Sequence, residues 1–145
     1  MHSATHTRGF TLLEMLVVIV LVSVAAGLVG YGLQRGLHNA GERQALGQVV
    51  SALRAARVQA IVSGQPARTR FNLRQRTVQA PGKTASHWPK DWRVRLQTAE
   101  GLGAAFEFYP DGGASGGNVS ITRGQRQWRV DINWLTGAVS LRDVP

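Results

Sequence analysis

The sequence predicts an α+β protein in which a long N-terminal membrane-spanning helix packs on a small antiparallel β-sheet domain. Three observations carry this prediction. Residues 10–33 are apolar except for Glu14, residues 46–61 repeat apolar side chains every three or four positions, and apolar and polar residues alternate in short stretches after residue 66. The first pattern is typical of a membrane helix, the second of an amphipathic helix and the third of strands.

Composition limits the function classes. The chain has 145 residues, enough for one domain, and its 17 Lys and Arg against 8 Asp and Glu give a formal net charge of +9. It contains no cysteine, which excludes disulfides, a cysteine-ligated zinc site and a thiol nucleophile. None of the four histidines forms a pair with ligand spacing on a predicted helix. We therefore expect neither a metal nor a cofactor.

The apolar run 10–33 is long enough to cross a membrane, because a helix of this length spans about 36 Å and a bilayer core is about 30 Å thick. The helix is expected to continue over residues 34–64 and to end at Gly64 and Pro66. Its apolar stripe comprises Leu46, Val49, Val50 and Leu53. Arg57 falls near this stripe, so its guanidinium is expected either to reach solvent or to pair with an acid of the β-domain.

Residues 65–145 are predicted to form the antiparallel β-domain. The candidate strands are 67–73, 77–79, 92–97, 105–109, 118–123, 127–133 and 138–141. Turn signals rich in Pro and Gly separate them, among them residues 80–89. Trp92 is expected to start the core face of its strand, whereas for Trp88 an exposed aromatic contact stays open.

The segment Arg8-Gly9-Phe10-Thr11-Leu12-Leu13-Glu14 resembles the processing site of type IV pilin-like proteins. The resemblance implies a leader peptide over residues 1–9, cleavage after Gly9 by a prepilin peptidase, and N-methylation of Phe10 as the first mature residue. A glycine before the cut leaves the backbone unhindered for a peptidase. An ordinary secretory signal cleaved near residue 26 would leave Glu14 inside an apolar core without a reason.

Glu14 is the fifth residue counted from Phe10. A carboxylate inside a bilayer is costly and needs a partner. The new α-amino group of Phe10 on a neighbouring subunit would supply one. We therefore predict that Glu14 acts in assembly.

The second half of the chain is similar to the GspH/FimT family. The residues that carry the likeness are Phe-Tyr-Pro-Asp-Gly at 108–112, Trp-Arg-Val-Asp-Ile at 128–132 and Thr-Gly-Ala-Val at 136–139. The resemblance implies a minor pseudopilin of type II secretion, with a pilin-like fold, anchored by a single span in the bacterial inner membrane with its C-terminal domain in the periplasm. The implied partners are other minor pseudopilins, the major pseudopilin, the inner-membrane assembly platform and the prepilin peptidase.

The alternative is a type IV pilus minor pilin of the FimT kind, which binds DNA for uptake or primes pilus assembly. Its candidate nucleic-acid contacts are Arg68, Arg70, Arg74, Arg76, Arg93 and Arg95. DNA-binding members of this branch are implied to use a basic C-terminal tail, and here only Arg142 is basic after the last predicted strand. Nucleic-acid binding is therefore the weaker hypothesis.

No catalytic residue is predicted. Asp111, Ser115 and His87 can be drawn as a triad, but they fall in predicted loops and lack the G-x-S-x-G elbow. Major pseudopilins are implied to bind calcium in a C-terminal loop, and residues 141–145 carry no cluster of acids that would hold it. The resemblance implies a structural subunit that helps export folded proteins across the outer membrane, and we expect no enzyme.

Overall fold

The computed structural model describes residues 11–145, apart from the side chains of residues 34–39. Within this range one helix, α1 (Leu12–Ser63), is followed by eight strands. The predicted α+β class is confirmed. The chain divides into two compact units, the first ending at Gly41 and the second comprising Glu42–Pro145.

In the first unit, the apolar part of α1 is Leu12–Leu33, a stretch of 22 residues with no buried side chain. The exposed apolar side chains run around the whole helix, which is typical of a segment solvated by lipid. By length and composition this segment is able to cross a membrane.

The second unit contains all the strands that the structure describes. They are β1 (Ala67–Asn72), β2 (Thr77–Gln79), β3 (Ser86–His87), β4 (Arg93–Gln97), β5 (Ala105–Phe108), β6 (Gly117–Arg123), β7 (Arg126–Ile132) and β8 (Val139–Val144). They form two four-stranded sheets with the orders β3-β2-β1-β5 and β4-β6-β7-β8. Every neighbouring pair is antiparallel.

The core of this unit lies between α1 and the sheets. Leu53 and Ala56 of α1 are fully buried, in one cluster with Phe106 of the first sheet and Val130 of the second. The hydroxyl of Thr69 on β1 donates a hydrogen bond to the carbonyl of Ala52 at 3.0 Å, although Ala52 lies inside the helix. This bond satisfies the buried hydroxyl and fixes β1 along the helix.

The region 80–89 differs from the prediction, which treated it as a turn. Ser86 and His87 form the short edge strand β3, paired with Val78 and Thr77. Trp88 is buried, with its ring centroid 6.1 Å from that of Phe71. The interpretation of Trp88 as an exposed contact is therefore wrong, because β3 carries it onto the core.

Trp92 is buried as predicted, with its ring centroid 6.2 Å from that of Trp128. The last strand, β8, continues to Val144, three residues beyond the predicted end. The helix ends at Ser63, where Gly64 takes a positive φ of 67° and its N–H donates to the carbonyl of Ala60. This is the left-handed helix end that the glycine predicted.

Candidate functional site

The predicted processing site meets the described residues at Thr11. Gly9 and Phe10 themselves lie outside the described residues. Thr11 is the N-cap of α1: its Oγ1 accepts a hydrogen bond from the Glu14 N–H at 3.2 Å, and its carbonyl accepts one from the Met15 N–H at 3.2 Å. The helix therefore begins directly after the predicted cleavage point.

Glu14 occupies the third position of the helix, in the first turn, and is exposed. A Thr followed three residues later by Glu is the capping-box pattern, and an acid is favourable near the positive end of the helix dipole. The local structure thus places the carboxylate at the very start of the apolar segment, next to the predicted mature N-terminus.

Arg57 joins α1 to the loop that follows β5. Its Nε donates to the carbonyl of Gly112 at 3.1 Å. The acceptor of this bond is a backbone carbonyl and not an acid, and the side chain is only half-buried, so it can still reach solvent. The Asp111 carboxylate accepts from the N–H of Gly113 at 2.9 Å and so closes the same turn.

The loop between β7 and β8 packs on this turn. The Ala114 N–H donates to the carbonyl of Trp134 at 2.9 Å. A Cβ added to Gly137, which has a positive φ of 65°, would come within 2.1 Å of the Gly112 carbonyl oxygen and 2.9 Å of Arg57 Nε. The Pro-Asp-Gly and Thr-Gly segments therefore meet around one arginine of the helix.

Glu42 forms the second link between α1 and the sheets. It is buried, and its carboxylate accepts hydrogen bonds from Arg123 and, at 2.5 Å, from Arg126. Arg123 also donates to Asp91. The bond to Glu42, partly opposed by burial and supported by Asp91, raises the pKa of Arg123. The guanidinium of Arg126 lies 4.9 Å from the ring centroid of Trp128, within cation–π range.

Sequence reasoning missed the Glu42 cluster because its partners lie 81 and 84 residues away in the chain. The available signal was an acid placed directly before the apolar stripe of the helix. That signal does not identify the partner.

The six candidate nucleic-acid contacts are not on one strand or one sheet. Arg68 and Arg70 lie on β1, Arg74 and Arg76 in the turn before β2, and Arg93 and Arg95 on β4 of the other sheet. Arg68 is paired with Glu107 at 3.0 Å. The structure therefore distributes these cations over both sheets.

The residues that could be drawn as a catalytic triad have other contacts. Ser115 Oγ accepts a hydrogen bond from the Glu107 N–H at 3.1 Å, Asp111 closes the turn described above, and His87 lies on the edge strand β3. Among the described residues no group of three or more His, Cys, Asp or Glu is arranged to hold a metal ion. A cavity of about 760 Å³ in this part of the chain is an open polar groove that includes Gln59, Arg70 and Glu107.

An apolar N-terminal helix that leads into an antiparallel β-domain defines the class of pilin-like proteins. The fold agrees with that of the minor pseudopilin EpsH from the type 2 secretion system of Vibrio cholerae, with a TM-score of 0.53 and 17% sequence identity over 70% of this chain and 96% of that one. The identity is low, so this likeness shows the fold.

The family follows from sequence comparison. A family model described as the prokaryotic N-terminal methylation motif matches residues 5–30, and one described as type II transport protein GspH matches residues 45–137. Type II secretion system protein H of Xanthomonas campestris pv. campestris is 36% identical over 91% of this chain and 81% of its own length. The protein of the same name from Escherichia coli K12 is 37% identical over 56% of this chain and 48% of its own. The chain belongs to the GspH family and is a minor pseudopilin.

Proposed function

We propose that this minor pseudopilin is a structural, non-catalytic subunit of the type II secretion pseudopilus. The observation that carries the proposal is the order of two family matches on one chain, a methylation motif over residues 5–30 and a GspH segment over residues 45–137. The apolar helix, most of which lies within the first match, supplies the element by which subunits pack into a filament. That filament helps folded proteins to cross the outer membrane.

The subunit enters the inner membrane as a precursor with the β-domain in the periplasm. The prepilin peptidase cuts after Gly9, and the new N-terminus at Phe10 is methylated. The capped helix start at Thr11 supports this assignment, because the described helix then begins two residues after the predicted cut. Other minor pseudopilins, the major pseudopilin and the assembly platform are the partners in the membrane.

Mass spectrometry of the membrane-bound protein tests this proposal. We expect a mature chain that begins with N-methylated Phe10. Gly9→Val should leave the precursor uncut, because a β-branched side chain hinders the extended backbone at the cut. Ala4→Val, in the same leader, is the matched control and should be processed normally. An intact N-terminus, or cleavage near Ala26, would contradict the proposal.

A further inference from the structure

The positive charge of the second unit is unevenly compensated. Glu42–Pro145 carries 15 Lys and Arg against 7 Asp and Glu. Five arginines are paired with acids, namely Arg68, Arg123, Arg126, Arg129 and Arg142. The stretch 70–95 has seven basic residues and only one acid, Asp91, which is bonded to Arg123. The unpaired cations therefore concentrate in this stretch.

Part of this excess lies at the end of the unit where the chain enters it. Asp91 and Arg123 are joined to Glu42 through hydrogen bonds, so the 88–92 loop and the turn between β6 and β7 lie at that end. Arg93 is paired in register with Thr122, beside Arg123. Arg43 and Arg126 line one cavity of about 270 Å³ together with Asp143.

We call the four outward cations Arg43, Lys90, Arg93 and Arg126 the basic collar. All four are exposed. Together with Arg123, and against Glu42, Asp91 and Asp143, they give this end a net charge of +2. Glu42 is buried and bonded to Arg123 and Arg126, so the charge that faces outward is set by the collar and by the exposed acids Asp91 and Asp143, with an excess of positive charge.

The collar is tethered close to a membrane whenever the apolar helix is inserted. Residues 34–41 are all that separates Leu33 from Glu42. As helix these positions advance about 13 Å, and even a fully extended chain spans no more than about 32 Å. Tethering of this kind gives the collar a high effective concentration at the headgroup layer.

We propose that the basic collar docks on anionic phospholipid headgroups of the membrane that holds the apolar helix. Guanidinium and ammonium groups bind phosphate through charge-assisted hydrogen bonds, and basic side chains beside a membrane span are attracted to anionic lipid. The contact is mainly electrostatic, because the loops at this end present Pro89 and Gln125, and the exposed large apolar side chain beside the collar, Leu141, lies on β8 and not in a loop that could insert. It weakens with salt.

Lipid is favoured over nucleic acid as the partner for a geometric reason. The short connection of residues 34–41 limits how far this end of the second unit can lie from a membrane that holds the apolar helix, whereas the six candidate nucleic-acid contacts are divided between two sheets. The docking goes beyond filament assembly and rests on the membrane anchoring of the proposed function.

A headgroup-quenching experiment on the full-length chain tests the proposal. The chain has no cysteine, so Gln125→Cys gives a single labelling site in the turn between β6 and β7. A fluorophore there is compared in nanodiscs of phosphatidylcholine alone and with about one third phosphatidylglycerol, each with a nitroxide-headgroup lipid. Glu100→Cys, in the turn beyond the opposite end of β4, is the control site.

We expect quenching at Gln125→Cys to increase with the anionic lipid and to fall with salt, while the Glu100→Cys label stays unchanged. Removing two collar charges with Lys90→Gln and Arg93→Gln should lower the ratio of docked to free protein about 25-fold, because each basic side chain near an anionic surface contributes about fivefold. Arg70→Gln with Lys83→Gln removes the same charge from exposed positions outside the collar and should have a much smaller effect.

Three outcomes would overturn the inference. The first is quenching at Gln125→Cys that does not change with the anionic lipid content. The second is an equal loss of docking in the two double variants. The third is tight binding of duplex DNA at physiological salt that depends on Lys90 and Arg93, which would make nucleic acid the partner. Failure of the chain to insert into nanodiscs would overturn the anchoring as well, so the two proposals fail distinguishably.

Discussion

Gly137 shows at the residue scale how the two family motifs are held on the helix. A side chain there would overlap the Gly112 carbonyl, which is the acceptor of the Arg57 hydrogen bond. Gly137→Ala should therefore lower the free energy of unfolding by at least about 3 kcal/mol, through backbone strain at positive φ and the loss of that bond. Thermal unfolding followed by tryptophan fluorescence measures it.

Gly124→Ala is the matched control for Gly137→Ala. Gly124 also has a positive φ, 57°, but an added Cβ there meets nothing within 4 Å. It should cost only the backbone strain, about 1 kcal/mol. Equal losses for the two variants would show that the contact between the loops contributes little.

Glu42 holds two arginines at the start of the β-domain unit. Glu42→Gln should destabilise this unit by about 2–4 kcal/mol, because it removes the buried anion that Arg123 and Arg126 share. Arg126→Gln should cost less than about 1 kcal/mol, since the Arg126 side chain is 60% exposed and Arg123 still pairs with Glu42. Denaturant unfolding of the full-length protein in detergent measures both, and a cost for Arg126→Gln as large as that for Glu42→Gln would contradict this account.

At the scale of elements, the strands with alternating sequence were predicted nearly residue by residue. In β1 the side chains of Ala67, Thr69 and Phe71 are buried and those between them are exposed. Period-two burial of this kind is readable because one face must meet the core. The two residues of β3 are too few for a period, and their place is set by pairing with β2, so no local signal marked them.

The pairing of β7 with β8 carries a pH prediction. The Asp131 carboxylate lies between Arg129, at 2.7 Å, and Arg142. Burial works against ionisation of Asp131, but the hydrogen bonds from Arg142 and Arg129 outweigh it and lower its pKa. Because the folded pKa lies below the unfolded one, this stabilisation is complete above about pH 4 and is lost as pH falls through the folded value.

Asp131→Asn should thus be less stable than the wild type at neutral pH, and the difference should shrink as the pH falls below about 4. Thermal midpoints of both proteins across this range measure the effect. A difference that stays constant into acid would mean that the carboxylate acts through packing and not through its charge.

For the whole molecule, the sequence predicted features whose residues are adjacent in the chain, and it missed contacts between residues that are far apart in the chain. The processing motif around Gly9 and the apolar helix lie in one short stretch, and the chemistry of each residue there depends on its neighbours in the chain. Arg57 and Glu42 find their acceptors 55 and more than 80 residues away. Which carbonyl or guanidinium meets them is decided by how the sheets close on α1, and no local pattern encodes that.

Glu14 is expected to affect the assembly of subunits and not the fold of the β-domain, because it lies in the exposed apolar segment and outside the β-domain unit. We propose that its carboxylate faces the membrane in an isolated subunit and meets the Phe10 amine of a neighbour in a filament. An acid costs about 2.5–3.5 kcal/mol at the bilayer centre and less near its edge, where the start of an inserted apolar segment lies, so pairing recovers part of that cost and favours docking over free diffusion. Glu14→Ala should leave cleavage after Gly9, membrane level and β-domain unfolding nearly unchanged, and reduce co-purification with partner pseudopilins.

Glu14→Asp refines this prediction, because it keeps the charge and shortens its reach, and it should co-purify with partners to an intermediate extent. Glu14→Gln separates charge from capping: the Thr11 side chain still accepts from the backbone N–H of residue 14, so α1 keeps its start while the ion pair is lost. It should fail in assembly as Glu14→Ala does. If either neutral variant enters the filament and supports secretion like the wild type, hydrophobic packing of the helices alone drives assembly, and the carboxylate is not the docking element.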